Sequence, residues 1–154
     1  MTDRANARTT SSSDIEDIEE LVTEWVQLGW RLAPGATFDF RALLGRFYDW
    51  HSPGVVLHDN ADPRCRIAHS AAEYAAAWDS CLAKLAVLSN TVDDGPYVVV
   101  SGDLAVVDVC FTSRFEFDGG HTAVEPTRSS LALRRHGDHW LIFREHGSAL
   151  RLRA

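Results

Sequence analysis

The segment His139-Trp140-Leu141-Ile142-Phe143-Arg144-Glu145-His146-Gly147-Ser148-Ala149-Leu150 decides how the whole chain is read. It follows a Gly137-Asp138 turn and is rich in the aromatic and β-branched residues that suit a pleated, half-buried strand. Side chains two apart share a face of a strand. Regular alternation therefore gathers Trp140, Ile142, Arg144, His146 and Ser148 on one side, and Leu141, Phe143 and Glu145 on the other. The first side passes from apolar to a cation, an imidazole and a hydroxyl. That gradient fits a strand lining a half-closed cavity with a polar mouth better than one that only fills a core.

Working back from this strand, the period stays at two. Strands are expected at 97–101, 104–117 and 122–135, separated by Gly102-Asp103 and Gly119-Gly120, which is hairpin turn chemistry. Further upstream the period is helical. Ile15, Ile18, Leu21, Val22, Trp25, Val26, Gly29 and Leu32 form one stripe, opened by a Ser13…Glu16 capping box and stopped by Ala33-Pro34-Gly35. A second helix follows Asp39, with Phe40, Leu43, Leu44 and Phe47 on its buried side. After the Ser52-Pro53-Gly54 turn, 55–58 reads as a short strand leading into the polar loop 59–63. Ser70 and Glu73 box the start of a third helix striped by Ala71, Tyr74, Ala75, Trp78, Cys81, Leu82 and Leu85. Residues 1–12 read as a disordered tail. Residues 13–154 form one α+β domain, expected as three N-terminal helices packed on an antiparallel sheet.

Composition narrows the partners. Fifteen basic against 22 acidic residues give a formal charge of -7, the wrong sign for nucleic acid or an anionic membrane surface. The three cysteines, Cys65, Cys81 and Cys110, are odd in number and widely spaced, as in a reduced cytoplasmic protein. No apolar run approaches the roughly 18 residues of a membrane span. There is no Gly-rich phosphate loop or nucleophile elbow, and no cofactor is implied. His51, His58, Asp59 and His69 match no metal-ligand spacing, so no metal is expected.

Three clusters carry the candidate chemistry. His58-Asp59 ends the short strand, where a desolvated carboxylate suits general-base work, although Asp59 also fits the start of an Asx turn. Arg144, His146 and Ser148 offer an oxyanion partner and a proton shuttle, or else an ordinary surface ion pair and a hydrogen-bonded histidine. The strand 104–117 puts Val106, Asp108, Cys110 and Thr112 on one side and Val107, Val109 and Phe111 on the other. Alternation leaves open which side meets the helices. Trp25, Trp30, Trp50, Trp78 and Trp140 are either an aromatic pocket wall or plain core.

The order helix, helix, short strand ending in Asp59, capped helix, then a meander closing on Trp140-x-Ile142-x-x-x-His146-x-Ser148 resembles the NTF2-like superfamily, in particular its SnoaL-like and ketosteroid-isomerase-like members. The resemblance spans about residues 15–150 and implies a cone, with helices over a strongly curved sheet and a cavity between them. It places Asp59 where such isomerases keep a general base. It puts Ile142, Arg144 and His146 on cavity positions of the last strand, Trp78 on the pocket side of helix three, and Val106, Asp108 and Cys110 in the lining. The isomerase oxyanion tyrosine of helix one has no counterpart, that region offering Trp25 and Trp30. Its partner acid is replaced near Ser129 or Ser130.

The expectation is thus a cofactor-free enzyme using acid/base chemistry on a small apolar carbonyl compound, of isomerase, polyketide-cyclase or dehydratase type. Asp59 or Asp108 would be the base, and Arg144 with His146 would steady the enolate. Trp78, Trp140, Ile142, Tyr74, Trp30, His58, Cys110 and Val106 would contact the substrate. The alternative is a non-catalytic ligand-binding or dimeric assembly module. A homodimer is expected in either case.

Overall fold

The computed structural model describes residues 12–150. Helix α1 spans Ser12–Glu24 and runs into a wider π-type turn at Trp25–Gly29; α2 is Phe40–Leu44 and α3 is Ala71–Cys81. The strands are β1 Val56–Asp59, β2 Leu85–Ser101, β3 Leu104–Phe117, β4 Thr122–His136 and β5 His139–Ala149. All but Ser12 of the expected N-terminal tail lies outside the described residues, and Ser12 opens α1.

The sheet corrects the expected architecture. Its order is β1-β5-β4-β3-β2, an open layer with β1 and β2 at its edges rather than a closing, strongly curved cone. It is not wholly antiparallel, because β1 runs parallel to β5. Nor are all three helices N-terminal: only α1 and α2 precede the strands, and α3 is the crossover that follows β1. A parallel pair needs a long connection, and α3 lies within the segment that leads from β1 into the meander.

Local chemistry accounts for the helix starts. Asp39 accepts from the amide of Ala42 at the head of α2. Ser70 Oγ accepts from Glu73 N at the head of α3, while the Glu73 carboxylate reaches back to the amide of His69. The helical stripes meet the sheet as expected, with Ile18, Val22, Trp25, Val26, Phe40, Leu44, Tyr74 and Trp78 all buried. Strand β2 starts twelve residues before the expected 97. The run Asp93-Asp94-Gly95-Pro96 reads as a break but is absorbed as irregularities in register between Val92 and Tyr97. Gly95 sits at φ +84° with Asp108 O beside it, so no side chain fits there.

The side of the sheet that meets the helices is formed by Ala105, Val107, Val109 and Phe111 of β3, Leu131 and Leu133 of β4, and Trp140 and Ile142 of β5. Beyond Ile142 the phase of β5 changes. Leu133 pairs with Ile142, but its neighbour Ala132 pairs with Arg144, so Phe143 is an extra residue. This bulge turns Glu145, Gly147 and Ala149 inward and Arg144, His146 and Ser148 outward. It lies where the other neighbour of β5 changes from Tyr48 to Val56.

The segment between those two neighbours is pinned by a buried carboxylate. Asp49 accepts from the amides of His51 and Ser52, and lies 3.0 Å from Arg134 and 2.9 Å from His136. Burial raises its pKa, but those amides and Arg134 outweigh burial and hold it below the usual carboxylate range. Replacing Asp49 by Ala takes the partner from a half-buried Arg134 and from two amides, and is expected to cost about 2 kcal/mol in chemical denaturation at pH 7. Because the folded pKa is depressed, this contribution is present above the ordinary aspartate value and disappears as pH falls through the folded one.

Candidate functional site

Strand β1 alternates so that Leu57 and Asp59 point inward and Val56 and His58 outward. The parallel register sets Leu57 beside Glu145 and Asp59 beside Gly147. Two inward carboxylates, Asp59 and Glu145, thus stand on adjacent strands with only Gly147 to make room for them. A Cβ at position 147 would overlap the Asp59 carboxylate. Asp59 also accepts from the amide of Ala61 at 2.7 Å, so the expected Asx turn and the inward carboxylate coexist.

Glu145 is 4% exposed. Tyr48 Oη donates to its Oε2 at 2.6 Å and Tyr74 Oη to its Oε1 at 3.0 Å, while Trp25 Nε1 donates to Tyr48 Oη at 3.1 Å. Burial drives its pKa up, Asp59 adds to the rise, and the two tyrosine donors oppose it; burial wins, and the carboxyl titrates at about 8. Asp59 is raised too, first by burial and then by Glu125, against the lowering pull of the Ala61 amide and of His58 and His146. Both tyrosines are held well above their ordinary range by burial and by Glu145. At neutral pH burial keeps the proton on Glu145, which can donate, and Asp59 stands beside it with its own pKa raised.

The pair opens onto a narrow cleft with a cavity volume of about 40 Å³, partly open to solvent. Trp25, Trp30, Trp78, Phe111 and Phe115 form its walls, and Asn90, Ser113, Glu125, Thr127 and Ser129 add polar atoms. Trp30 and Trp78 meet edge to face at 5.0 Å. The π-type turn carries Trp25 into this wall. Asn90 Nδ2 ties that turn to β2 by donating to the carbonyls of Val26 and Trp30.

The expected site residues divide into three groups. Asp59, Trp30 and Trp78 line the cleft, and Tyr74 holds Glu145. Trp140 and Ile142 are buried core, with Trp140 under the Arg135 guanidinium, and neither lines the cleft. Arg144, His146, Asp108, His58, Cys110 and Val106 are on the opposite side of the sheet, which corrects their expected place in the cavity. For Arg144 and His146 the reason is the bulge at Phe143. For Val106, Asp108 and Cys110 it is simpler: the continuous apolar side of β3 faces the helices. On the outer side Arg144 donates to Gly54 O, Ser130 donates to Asp108, and the His58 and His146 rings meet at 4.2 Å with their planes tilted by 34°. Burial and His146 lower the pKa of His58.

Sequence reading missed Glu145 and Tyr48, because strict alternation put Glu145 with Leu141 and Phe143. One signal was available. A tyrosine on an apolar helical stripe needs a buried partner for its hydroxyl, and Tyr74 lies on such a stripe.

Residues 39–151 match the model of the SnoaL-like domain family. No curated protein matches the sequence. Solved structures of similar shape include an NTF2-like superfamily protein from Salmonella enterica Typhimurium LT2, with a TM-score of 0.70, 15% identity, and 94% of this chain and 96% of that one covered. A candidate dehydratase of the NTF2-like family from Streptomyces avermitilis gives 0.68 at 17% identity, covering 93% and 100%. A ketosteroid isomerase-like protein from Erwinia carotovora atroseptica gives 0.56 at 18%, covering 74% and 83%. At these identities the likeness is one of fold.

The raised Glu145 fixes a sign for stability. Folding takes up a proton wherever pH lies between the unfolded value of 4.5 and the folded value of about 8, so stability contributed by this group falls as pH rises across that window. Glu145→Gln, which mimics the protonated acid, should match the wild type near pH 5 and exceed it at pH 9. The difference should grow by at most about 1.4 kcal/mol per pH unit. Urea titrations of both proteins across this range check it, since His58 and Asp59 contribute equally to each.

Proposed function

The chain belongs to the SnoaL-like domain family of the NTF2-like superfamily, and on that premise we propose that it is an enzyme acting by acid/base chemistry on a small, largely apolar carbonyl compound. One observation carries the reading: two buried carboxyls with raised pKa values stand side by side at the floor of an aromatic cleft. Asp59 as carboxylate takes a proton from the carbon next to the carbonyl. Glu145, kept protonated by burial and oriented by Tyr48 and Tyr74, donates to the carbonyl oxygen as negative charge develops there. Charge that builds in a site shielded from water is stabilised far more by such a fixed donor than it would be in solution.

The resulting enol has three outcomes. Return of the proton from Asp59 to a different carbon gives an isomer, and attack on a second carbonyl of the same molecule closes a ring. Loss of a β-hydroxyl, which leaves as water with the proton that Asp59 took up while the enol proton returns to Glu145, gives an unsaturated product. The likeness to a candidate dehydratase and to an isomerase-like protein suits this range of reactions. The chain's own residues supply every proton in the scheme.

A second reading, a dimeric assembly module, draws on the outer side of the sheet. Tyr97, Val99, Leu104, Val106 and Val124 are exposed there, an apolar surface of the kind that a homodimer covers. No helix among the described residues is long and apolar enough to cross a membrane. Dimerisation through this side would leave the cleft free, so the two readings are compatible.

Exchange of α-deuterons from small cyclic and aryl ketones, followed by NMR, tests the enzyme. Asp59→Asn should lower the rate by about 10²- to 10⁴-fold. His146→Ala and Arg144→Ala, on the outer side, should leave it within about twofold. The pH profile should be bell-shaped, rising through an Asp59 value above the usual aspartate range and falling through about 8. Full exchange activity in a folded Asp59→Asn protein would refute the assignment.

A further inference from the structure

The charge around the cleft is one-sided. Asp59, Glu125 and Glu145 line it, and among the described residues no Lys, Arg or His does. Glu145 is neutralised by its own proton and Asp59 is held by the Ala61 amide. Glu125 has neither: its half-buried carboxylate forms no salt bridge or side-chain hydrogen bond among the described residues, and its charge raises the pKa of Asp59. An unpaired carboxylate beside a second acid makes that part of the cleft attractive to a cation.

The neutral groups point the same way. Asn90 spends both hydrogens of its amide on the carbonyls of Val26 and Trp30, which fixes the orientation of the group. Its Oδ1 is left with no donor and out of contact with solvent, although the residue lines the cleft. Ser129 Oγ, also on the lining, has no partner either. Buried acceptors without donors are rare in folded proteins and call for an explanation. Around them stand the faces and edges of five aromatic rings, the surroundings in which a cation with an apolar body is bound well.

We propose that the cleft selects a ligand with an apolar ring and a protonated amine, whose N–H groups reach Glu125 and Asn90 Oδ1, and that it rejects carboxylates and phosphates. The proposal rests on the acid/base reading for the location of the site, and adds the class of substrate: a carbonyl compound that also carries an ammonium group. In this arrangement Glu125 is a specificity residue and takes no part in proton transfer. It also gives the -7 formal charge of the chain a role in drawing a cation toward the mouth.

Three ring compounds of nearly equal size test this: benzylammonium, benzyl alcohol and benzoate, titrated at pH 7 with tryptophan fluorescence excited beyond the absorption of the probes. Trp25, Trp30 and Trp78 report directly on the cleft. Benzylammonium should bind at least about tenfold more tightly than benzyl alcohol, with benzoate weakest. Glu125→Gln should reduce that preference to less than about threefold. A ratio below about tenfold in the wild type, a preference that survives Glu125→Gln, or no saturable response to benzylammonium at about 10 mM overturns the proposal. The titration requires no turnover, so it fails or succeeds independently of ketone exchange. Binding preference without exchange refutes the enzyme alone, and exchange without preference refutes the ligand class alone.

Discussion

The burial of Glu145 between two tyrosine hydroxyls is the interaction on which the interior of this protein is organised. A carboxyl that is 4% exposed must be neutral, or else paired with donors strong enough to replace water. Tyr48 and Tyr74 supply donors from two separate segments, one just after α2 and one in α3. They draw both segments onto the same point of β5. Trp25 then binds Tyr48, which brings the end of α1 to that point as well. One acid therefore gathers contributions from every helical layer.

Removing either hydroxyl would leave the acid short of a partner, with the full cost of desolvation exposed. The same dependence explains why Asp49 matters at a distance. It adjoins Tyr48, and its ties to Arg134 and His136 hold the backbone that delivers the Tyr48 ring. The apolar packing around these groups, where Phe40 touches the rings of both Tyr48 and Tyr74, keeps water away. Without that exclusion the pKa of Glu145 would return toward its ordinary value.

Much of the frame was legible in the residues. The stripe through Ile18, Val22, Trp25 and Val26, the caps at Asp39 and Ser70, and the glycine turns between the last strands each follow from local chemistry, and each is present. Asp59 was legible because a strand end next to a polar loop is a local feature. The place of Arg144 and His146 was not, because it depends on one extra residue at Phe143. Nothing within five residues of Phe143 announces that the neighbouring strand changes there from Tyr48 to Val56, and a shift of one place exchanges the two sides of everything beyond it. The long β2 was hidden for a related reason. Asp93-Asp94-Gly95-Pro96 carries turn chemistry, yet pairing with β3 continues on both sides of it.

The parallel joint between β1 and β5 has a kinetic corollary. Asp59 and Glu145 belong to strands far apart along the chain, and β1 contributes only four residues to the edge that brings them together. Pairings of this reach are slow to form because loop closure comes before any compensating contact. The three hairpin-linked strands β3, β4 and β5 involve only short closures, so they can assemble first and offer β1 a template. The carboxyl pair is thus completed late in folding, when its first strand docks onto a meander already in place.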